Sequence, residues 1–202
     1  MTISTPPQVK EYYQQQDVAQ KYIRKRFTEP LNAVEHRRQA DILNNIIKER
    51  NCQKILEFAP GPARLTTELI IENGTSIDSS ASMLAIAKQR MKAARKRWNF
   101  RQGDILNIRL KPTYDLVFSI RFLLHFQRAE REKMYAQASS ALRPGGYLAF
   151  EAMNKQVVLP LRKLLGMKRY IVYDKLYTKK ELIQEVEKNG FKMVKLYPLL
   201  NH

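Results

Sequence analysis

Acidic residues are what this chain is short of. Its 202 residues hold 19 aspartates and glutamates against 36 lysines and arginines, a net charge of +17. A field of that size attracts polyanions, among them RNA, anionic lipid headgroups and phosphorylated substrates, or else serves solubility. Cysteine is almost absent. Cys52 stands alone, which excludes an intrachain disulfide and fits a reducing, cytoplasmic compartment. A single thiol just before a strand reads as packed rather than nucleophilic. Histidines 36, 125 and 202 are too scattered to make a metal-ligand spacing, so no metal is expected. No apolar run approaches the ~18 residues of a membrane span. The opening MTISTPPQVKEYY lacks the basic-then-apolar layout of a signal peptide. What remains, 44% hydrophobic and 27% charged, is globular and long enough for one full core. A single domain over 1–202 is expected.

Residues 8–28 and 31–50 read as two helices that form an N-terminal cap over 1–50. The second places Val34, Ile42, Leu43, Ile46 and Ile47 on one face, with Pro30 suited to its start and Asn51 to its end. Beyond them the pattern alternates. Strand 54–58 precedes helix 63–73, strand 74–78 precedes helix 80–96, and a short strand spans Trp98–Arg101. Strand Asp115–Ser119 precedes helix 129–142, and strand Tyr147–Glu151 follows. Residues 154–178 interrupt the rhythm as an insertion, before helix 179–189 and strand Phe191–Tyr197. Strands alternating with helices predict a doubly wound α/β fold with a mainly parallel sheet. Right-handed crossovers then bring the loops after each strand to one rim, where ligands bind.

That rim is marked by ILEFAPGPA at 55–63. An apolar strand ends in Glu57, a glycine-bearing turn follows, and Asp78 closes the next strand. Strand, turn, helix, strand, acid is how an α/β domain holds a nucleoside, with backbone close to the ligand and the acid on the ribose hydroxyls. Further signals stand in register: GTSIDSSASMLAIAKQR, QGDI at 102–105, YDLV at 114–117, ALRPGGYLAF and YTKKELIQEVEKNGF. In this order they resemble the class I S-adenosylmethionine-dependent methyltransferases over roughly residues 50–152.

The resemblance implies a Rossmann-like methyltransferase fold with S-adenosylmethionine as cofactor, and it implies roles. Backbone at Ala59, Pro60 and Gly61 would bound the methionine part, with Glu57 and Ser119 near its ammonium. Asp78 would accept the ribose hydroxyls, and Ser79 would flank the adenine. Asp104 would accept the adenine amino hydrogens, while Met83 and Ile105 pack on the ring. Tyr22 and Arg26 resemble residues of the family's lid. Ala59 and Ala63 stand where the family usually has glycine. Pro60 and Pro62 have no N–H and bias the residue before each toward extended backbone. Read without the resemblance, Asp78 and Asp104 are equally strand-end turn residues or helix caps.

Methyl transfer asks mainly for alignment, worth up to ~7–11 kcal/mol in favourable intramolecular cases. An oxygen acceptor also needs a base. His125, in the segment after strand four, is the candidate, since imidazole titrates near neutrality; packing under the loop is its alternative. Arg121 is a candidate to hold an acidic or phenolate acceptor, or is a surface arginine.

Position sorts the charge. Lys88–Arg97 lies late in a helix that runs away from the rim, so it reads as a solvated face rather than an RNA track. The insertion emerges at the rim and interleaves Val157, Val158, Leu159, Leu161, Leu164, Leu165 and Met167 with Arg162, Lys163, Lys168 and Arg169, followed by Tyr170, Tyr173 and Tyr177. A lid over an apolar substrate, a membrane-surface contact, an acidic-partner surface and plain packing all fit. The family sheet ends in an antiparallel pair, and no sequence remains here for its last strand. An unpaired edge would leave room for a homodimer. The expected function is methylation, at oxygen or nitrogen, of a small-molecule or lipid-like acceptor. The alternatives are an RNA-modifying methyltransferase and a non-catalytic binding protein that keeps the fold.

Overall fold

The computed structural model describes residues 30–170 and 172–199, together with Gln8, Glu11 and Tyr12. Most of the helix expected over 8–28, including Tyr22 and Arg26, lies outside the described residues.

Five strands build one sheet: β1 Ile55–Phe58, β2 Asn73–Asp78, β3 Arg97–Gln102, β4 Tyr114–Ser119 and β5 Leu142–Phe150. Their order is β3-β2-β1-β4-β5 and every pairing is parallel. The helices are α1 Pro30–Glu49, α2 Ala81–Ala93, α3 Arg128–Ala141, α4 Lys155–Leu165 and α5 Lys179–Lys188. A second, two-stranded parallel sheet pairs β6 Met153–Asn154 with β7 Leu176–Tyr177. The doubly wound architecture read from the alternation is therefore the fold.

Strand residues alternate between two faces, and both faces are covered. Ile55, Leu116 and Phe118 pack with Ala40, Leu43 and Ile47 of α1. Leu56, Phe58 and Val117 pack with Met134, Tyr135 and Ala138 of α3 and Leu182 and Val186 of α5. Helix α1 starts on Pro30 and releases the chain at Asn51, whose φ of 48° is the left-handed stop asparagine tolerates. Val34 differs from expectation: it is exposed, while Leu43 and Ile47 are buried. Cys52 is buried, and burial pushes its thiol up.

Two expected elements do not form. In place of a helix over 63–73 there is one 3₁₀ turn, Thr66–Glu68. Asn44 on α1 explains this: its side chain donates to the Glu68 carbonyl and accepts the Ile70 N–H. Backbone groups a longer helix would use are thereby taken by a side chain. The strand expected over Phe191–Tyr197 is not a strand either. Phe191 and Met193 pack on the core, but a groove of about 790 Å³ separates this segment from β5. Among the described residues no strand lies in that groove, so the segment has no ladder to join.

The insertion is tied back by a buried polar cluster. Arg131 of α3 donates to both carboxylate oxygens of Glu185 on α5, at 2.9 and 2.6 Å. Glu185 also accepts from Tyr177 of β7 at 2.6 Å and from Tyr135 at 3.3 Å. Burial pushes the Glu185 carboxyl up, but Arg131 and Tyr177 outweigh it and hold the group below its usual range. Arg131→Met leaves this carboxylate buried without its cation. The expected loss is about 3 kcal/mol in urea denaturation, and a loss within error would show that the tyrosines alone suffice.

Candidate active site

Strand order reverses between β1 and β4, so the loops leaving these strands diverge and open a crevice at their carboxyl ends. A cavity of about 440 Å³ occupies it. The loops after all four strands β1 to β4 contribute to its lining.

The first loop is the turn singled out in the sequence. Ala59, Gly61 and Ala63 have φ values of 53°, 55° and 56°. The outer alanines therefore hold the left-handed backbone that glycine adopts most readily, at roughly 1–2 kcal/mol for each L-residue. The prolines do not force their predecessors to extended backbone, contrary to expectation, because the turn is pinned from outside. The Gly61 N–H donates to Asp78 Oδ2 at 3.0 Å, and the Ala59 N–H to the Ile77 carbonyl at 2.8 Å. Asp78 Oδ1 accepts the Ser80 N–H at 2.9 Å, and Ser80 caps α2 by accepting from Met83 N–H. Asp78 is thus a turn residue, and a carboxylate oxygen can accept more than one hydrogen bond. Burial pushes its carboxyl up against the Ser80, Gly61 and Ser79 N–H groups.

Glu57 lies at the cavity floor and is buried. Its Oε2 accepts from Thr66 at 2.7 Å and from Ser76 at 2.9 Å. Ser76 in turn accepts from the Trp98 indole at 2.7 Å. The indole reaches that position because Gly74 lies under it; a Cβ there would sit 2.5 Å from the ring. Burial pushes the Glu57 carboxyl up to about 7, with the Asp78 charge adding to it and the two hydroxyls and Arg64 opposing.

Ala59, Pro60, Gly61, Ser79, Met83, Asp104 and Ile105 also line the cavity. Asp104 accepts from the Leu106 N–H at 3.0 Å and Asn107 Nδ2 at 3.2 Å, a local turn of the kind its alternative reading named. Ser119 is not among the residues that line the cavity. The register sets Glu57 beside Phe118 and so Ser119 beside Phe58, whose carbonyl accepts from its hydroxyl at 3.2 Å.

His125 and Arg121 both reach the cavity wall. His125 ends a 3₁₀ turn, Leu123–His125, and is buried. Its Nδ1 lies 2.8 Å from Asp174 Oδ1 and 3.2 Å from the Tyr173 carbonyl. Both neighbours are acceptors, an arrangement that suits a proton on Nδ1. Asp174 is bound from its other side by Arg162 of α4. Arg121, at a φ of 58°, sits 3.6 Å from Glu151. Glu151 accepts from Gln39 at 2.8 Å, and Gln39 accepts from Arg64 at 2.7 Å. Sequence reasoning missed this wall and missed Asp174. Asp174 had a signal: it is the sole acid among residues 152–180.

The family model described as a methyltransferase domain matches residues 55–146, which include the turn, both nucleoside-side acids and β4. Over these residues the chain is similar to a methyltransferase domain. An uncharacterized methyltransferase of Anoxybacillus flavithermus is 31% identical over 112 residues, covering 54% of this chain and 50% of the relative. The chain thus spans about half the length of that relative. Among solved structures, magnesium protoporphyrin IX methyltransferase of Synechocystis PCC 6803, with bound S-adenosylhomocysteine, superposes with a TM-score of 0.74. The identity is 17%, over 93% of this chain and 90% of that one. An S-adenosylmethionine-dependent methyltransferase of Clostridium acetobutylicum gives 0.63 at 15% identity, over 79% and 87%.

A solved neighbour of the same fold holds S-adenosylhomocysteine, and the donor set of this cavity fits S-adenosylmethionine. Asp78 offers acceptors to hydroxyls, Glu57 a carboxylate to a cation, and Met83 and Ile105 an apolar slot. The raised Glu57 makes two consequences measurable. Its folded value of about 7 lies above the ordinary 4.5. The native state therefore binds more protons than the unfolded chain between these values, and this group's contribution to stability falls across that window. Glu57→Gln, which keeps both hydroxyl contacts, should raise stability by ~1–3 kcal/mol at pH 8 and hardly at pH 5. Equal effects at both pH values would defeat the assignment. In the parent protein, cofactor binding at pH 6 should release close to one proton, read by calorimetry in buffers of different ionisation enthalpy. The proton should disappear in Glu57→Gln.

Proposed function

We propose that this methyltransferase alkylates an oxygen of a small, lipophilic acceptor, with His125 as general base. The observation that carries the reading is the placement of His125 on the cavity wall, with Nδ1 held between Asp174 and the Tyr173 carbonyl. The side chains around it favour an apolar guest. Ile120, Phe122 and Phe126 line the same wall, and the two phenylalanines pack edge to face at 4.9 Å.

Bound in the cavity, S-adenosylmethionine supplies an electrophilic methyl on a sulfonium. The rest falls to the chain. Nε2 of His125 takes the acceptor's hydroxyl proton as the oxygen becomes nucleophilic. The imidazolium that forms is stabilised by Asp174. Burial pushes that carboxyl up, but His125 and Arg162 outweigh it and hold it below its usual range, ionised throughout. Arg121 stands at the wall to meet an acidic or phenolic acceptor, restrained by Glu151. Neither the turn nor Glu57 takes part in proton transfer; they fix where the cofactor lies, and alignment supplies most of the acceleration.

The basic run does not favour RNA. Lys88, Lys92, Arg95 and Arg97 are exposed at the far end of α2, away from the cavity that its first residues line. The test is a panel of amphiphilic phenols and carboxylic acids incubated with S-adenosylmethionine, with methylated product read by mass spectrometry. An oxygen-methylated member is expected. His125→Asn should lower its kcat by ~10²–10⁴ while calorimetry shows cofactor affinity unchanged. Transfer to RNA alone, or full activity in His125→Asn, would overturn the proposal. The absence of binding heat at millimolar cofactor would do the same.

A further inference from the structure

Helix α4 is inside out. Of its eleven residues, KQVVLPLRKLL, the buried one is an arginine. Arg162, at 8% exposure, turns inward to Asp174, while Leu161 and Leu164 stand 49% and 83% exposed. At 100° per residue, Val157, Leu161, Leu164 and Leu165 fall within an arc of roughly 100°, and all four are exposed. Met167 extends the same apolar surface beyond Gly166. A helix in water normally turns such a stripe to the core; this one spends its inward face on an ion pair.

Cations flank the stripe. Lys155, Lys163, Lys168 and Arg169 are exposed, and residues 152–173 contain no acid. The whole chain adds +17. That charge decides between occupants. A second copy would bring the same sign to the same patch and be repelled. RNA would meet the cations but gain nothing from four aliphatic side chains, since bases stack on aromatic rings. An anionic bilayer satisfies both halves of the pattern, apolar residues entering the acyl boundary and cations remaining with the headgroups. None of the described helices is long and apolar enough to cross a membrane, so α4 would lie in the interface plane.

We propose that α4 is a membrane-surface helix that seats this protein on anionic phospholipid. Its inward arginine holds Asp174, which faces His125, so the docked face is two side chains from the cavity wall. A lipophilic acceptor, if the proposed function holds, would pass from the acyl boundary to the base without crossing bulk water; the docking itself does not depend on that reading.

The test is co-sedimentation of the full chain with vesicles of phosphatidylcholine, alone or mixed with phosphatidylglycerol. The parent should sediment with the mixed vesicles. Leu161→Ser with Leu164→Ser, which leaves the charge intact, should weaken binding at least about tenfold. Serine at Lys163, Lys168 and Arg169 together should abolish the preference for phosphatidylglycerol. Leu164→Trp should shift its emission to the blue with mixed vesicles. Both leucines are exposed, and unchanged affinity for S-adenosylhomocysteine confirms that each variant is folded. Undiminished binding by the double-serine variant would reduce the effect to bulk charge and overturn the proposal. Dimerisation that Leu164→Ser disperses would overturn it in favour of a second copy. Failure of the parent to bind S-adenosylhomocysteine would count against the proposed function and leave the vesicle result standing.

Discussion

The hydrogen bond from the Gly61 N–H to Asp78 is the contact on which the site's geometry depends. It joins the turn after β1 to the end of β2, across the seam where two strands present their carboxyl ends. Backbone bonds from Ala59 to Ile77 and from Ala63 to Pro60 support the ends of the turn, but two of its residues are prolines without an N–H, and three have left-handed backbone. With Asp78 in place, those alanines are carried at a modest local strain, and α2 begins from the same carboxylate through Ser80. One side chain therefore sets the turn, the helix start and the acceptor pair at the nucleoside end. It also explains how alanine can stand where glycine is usual. The conformation is imposed by a partner rather than by freedom of the backbone.

Beneath this turn lies an opposite kind of constraint. Glu57 is stabilised in its fold position by Thr66 and Ser76 but destabilised as an anion by burial. The Trp98 indole, seated over Gly74, orients Ser76. A carboxylate kept on the edge of ionisation is a poor contributor to stability and a strong attractor of a cation. The favourable interaction exists only when the ligand arrives, so fold and ligand share it unequally.

The strands and the acids that end them were legible in the sequence because each rests on local pattern. Apolar runs 55–58 and 115–119 can be little else, and Glu57, Asp78 and Asp104 follow such runs directly. What was not legible depends on contacts made across the chain. Helix 63–73 failed because Asn44, on a different helix, takes its backbone groups. The strand at 191–197 failed because a strand needs a neighbour, and β5 is a groove away. That the Ser119 hydroxyl donates to the Phe58 carbonyl also depends on the pairing of β4 with β1, which sets the two residues side by side. Asp174 was passed over because nothing near it in sequence has chemistry; its meaning comes from His125, 49 positions earlier.

That last pairing bears on how the two halves of the site are built. Everything on the cofactor side comes from β1, β2, β3 and the loops that follow them, the part of the fold the matched family model covers. The partner of His125 comes instead from the insertion, through Asp174 and its anchor Arg162. The same insertion gives up the inward face of α4 to hold that anchor, and so turns its leucines outward. Exposure of the apolar stripe and positioning of His125 are then two results of one ion pair. A substitution at Arg162 would loosen His125 and release the helix together, which couples one wall of the cavity to the exposed apolar surface of α4.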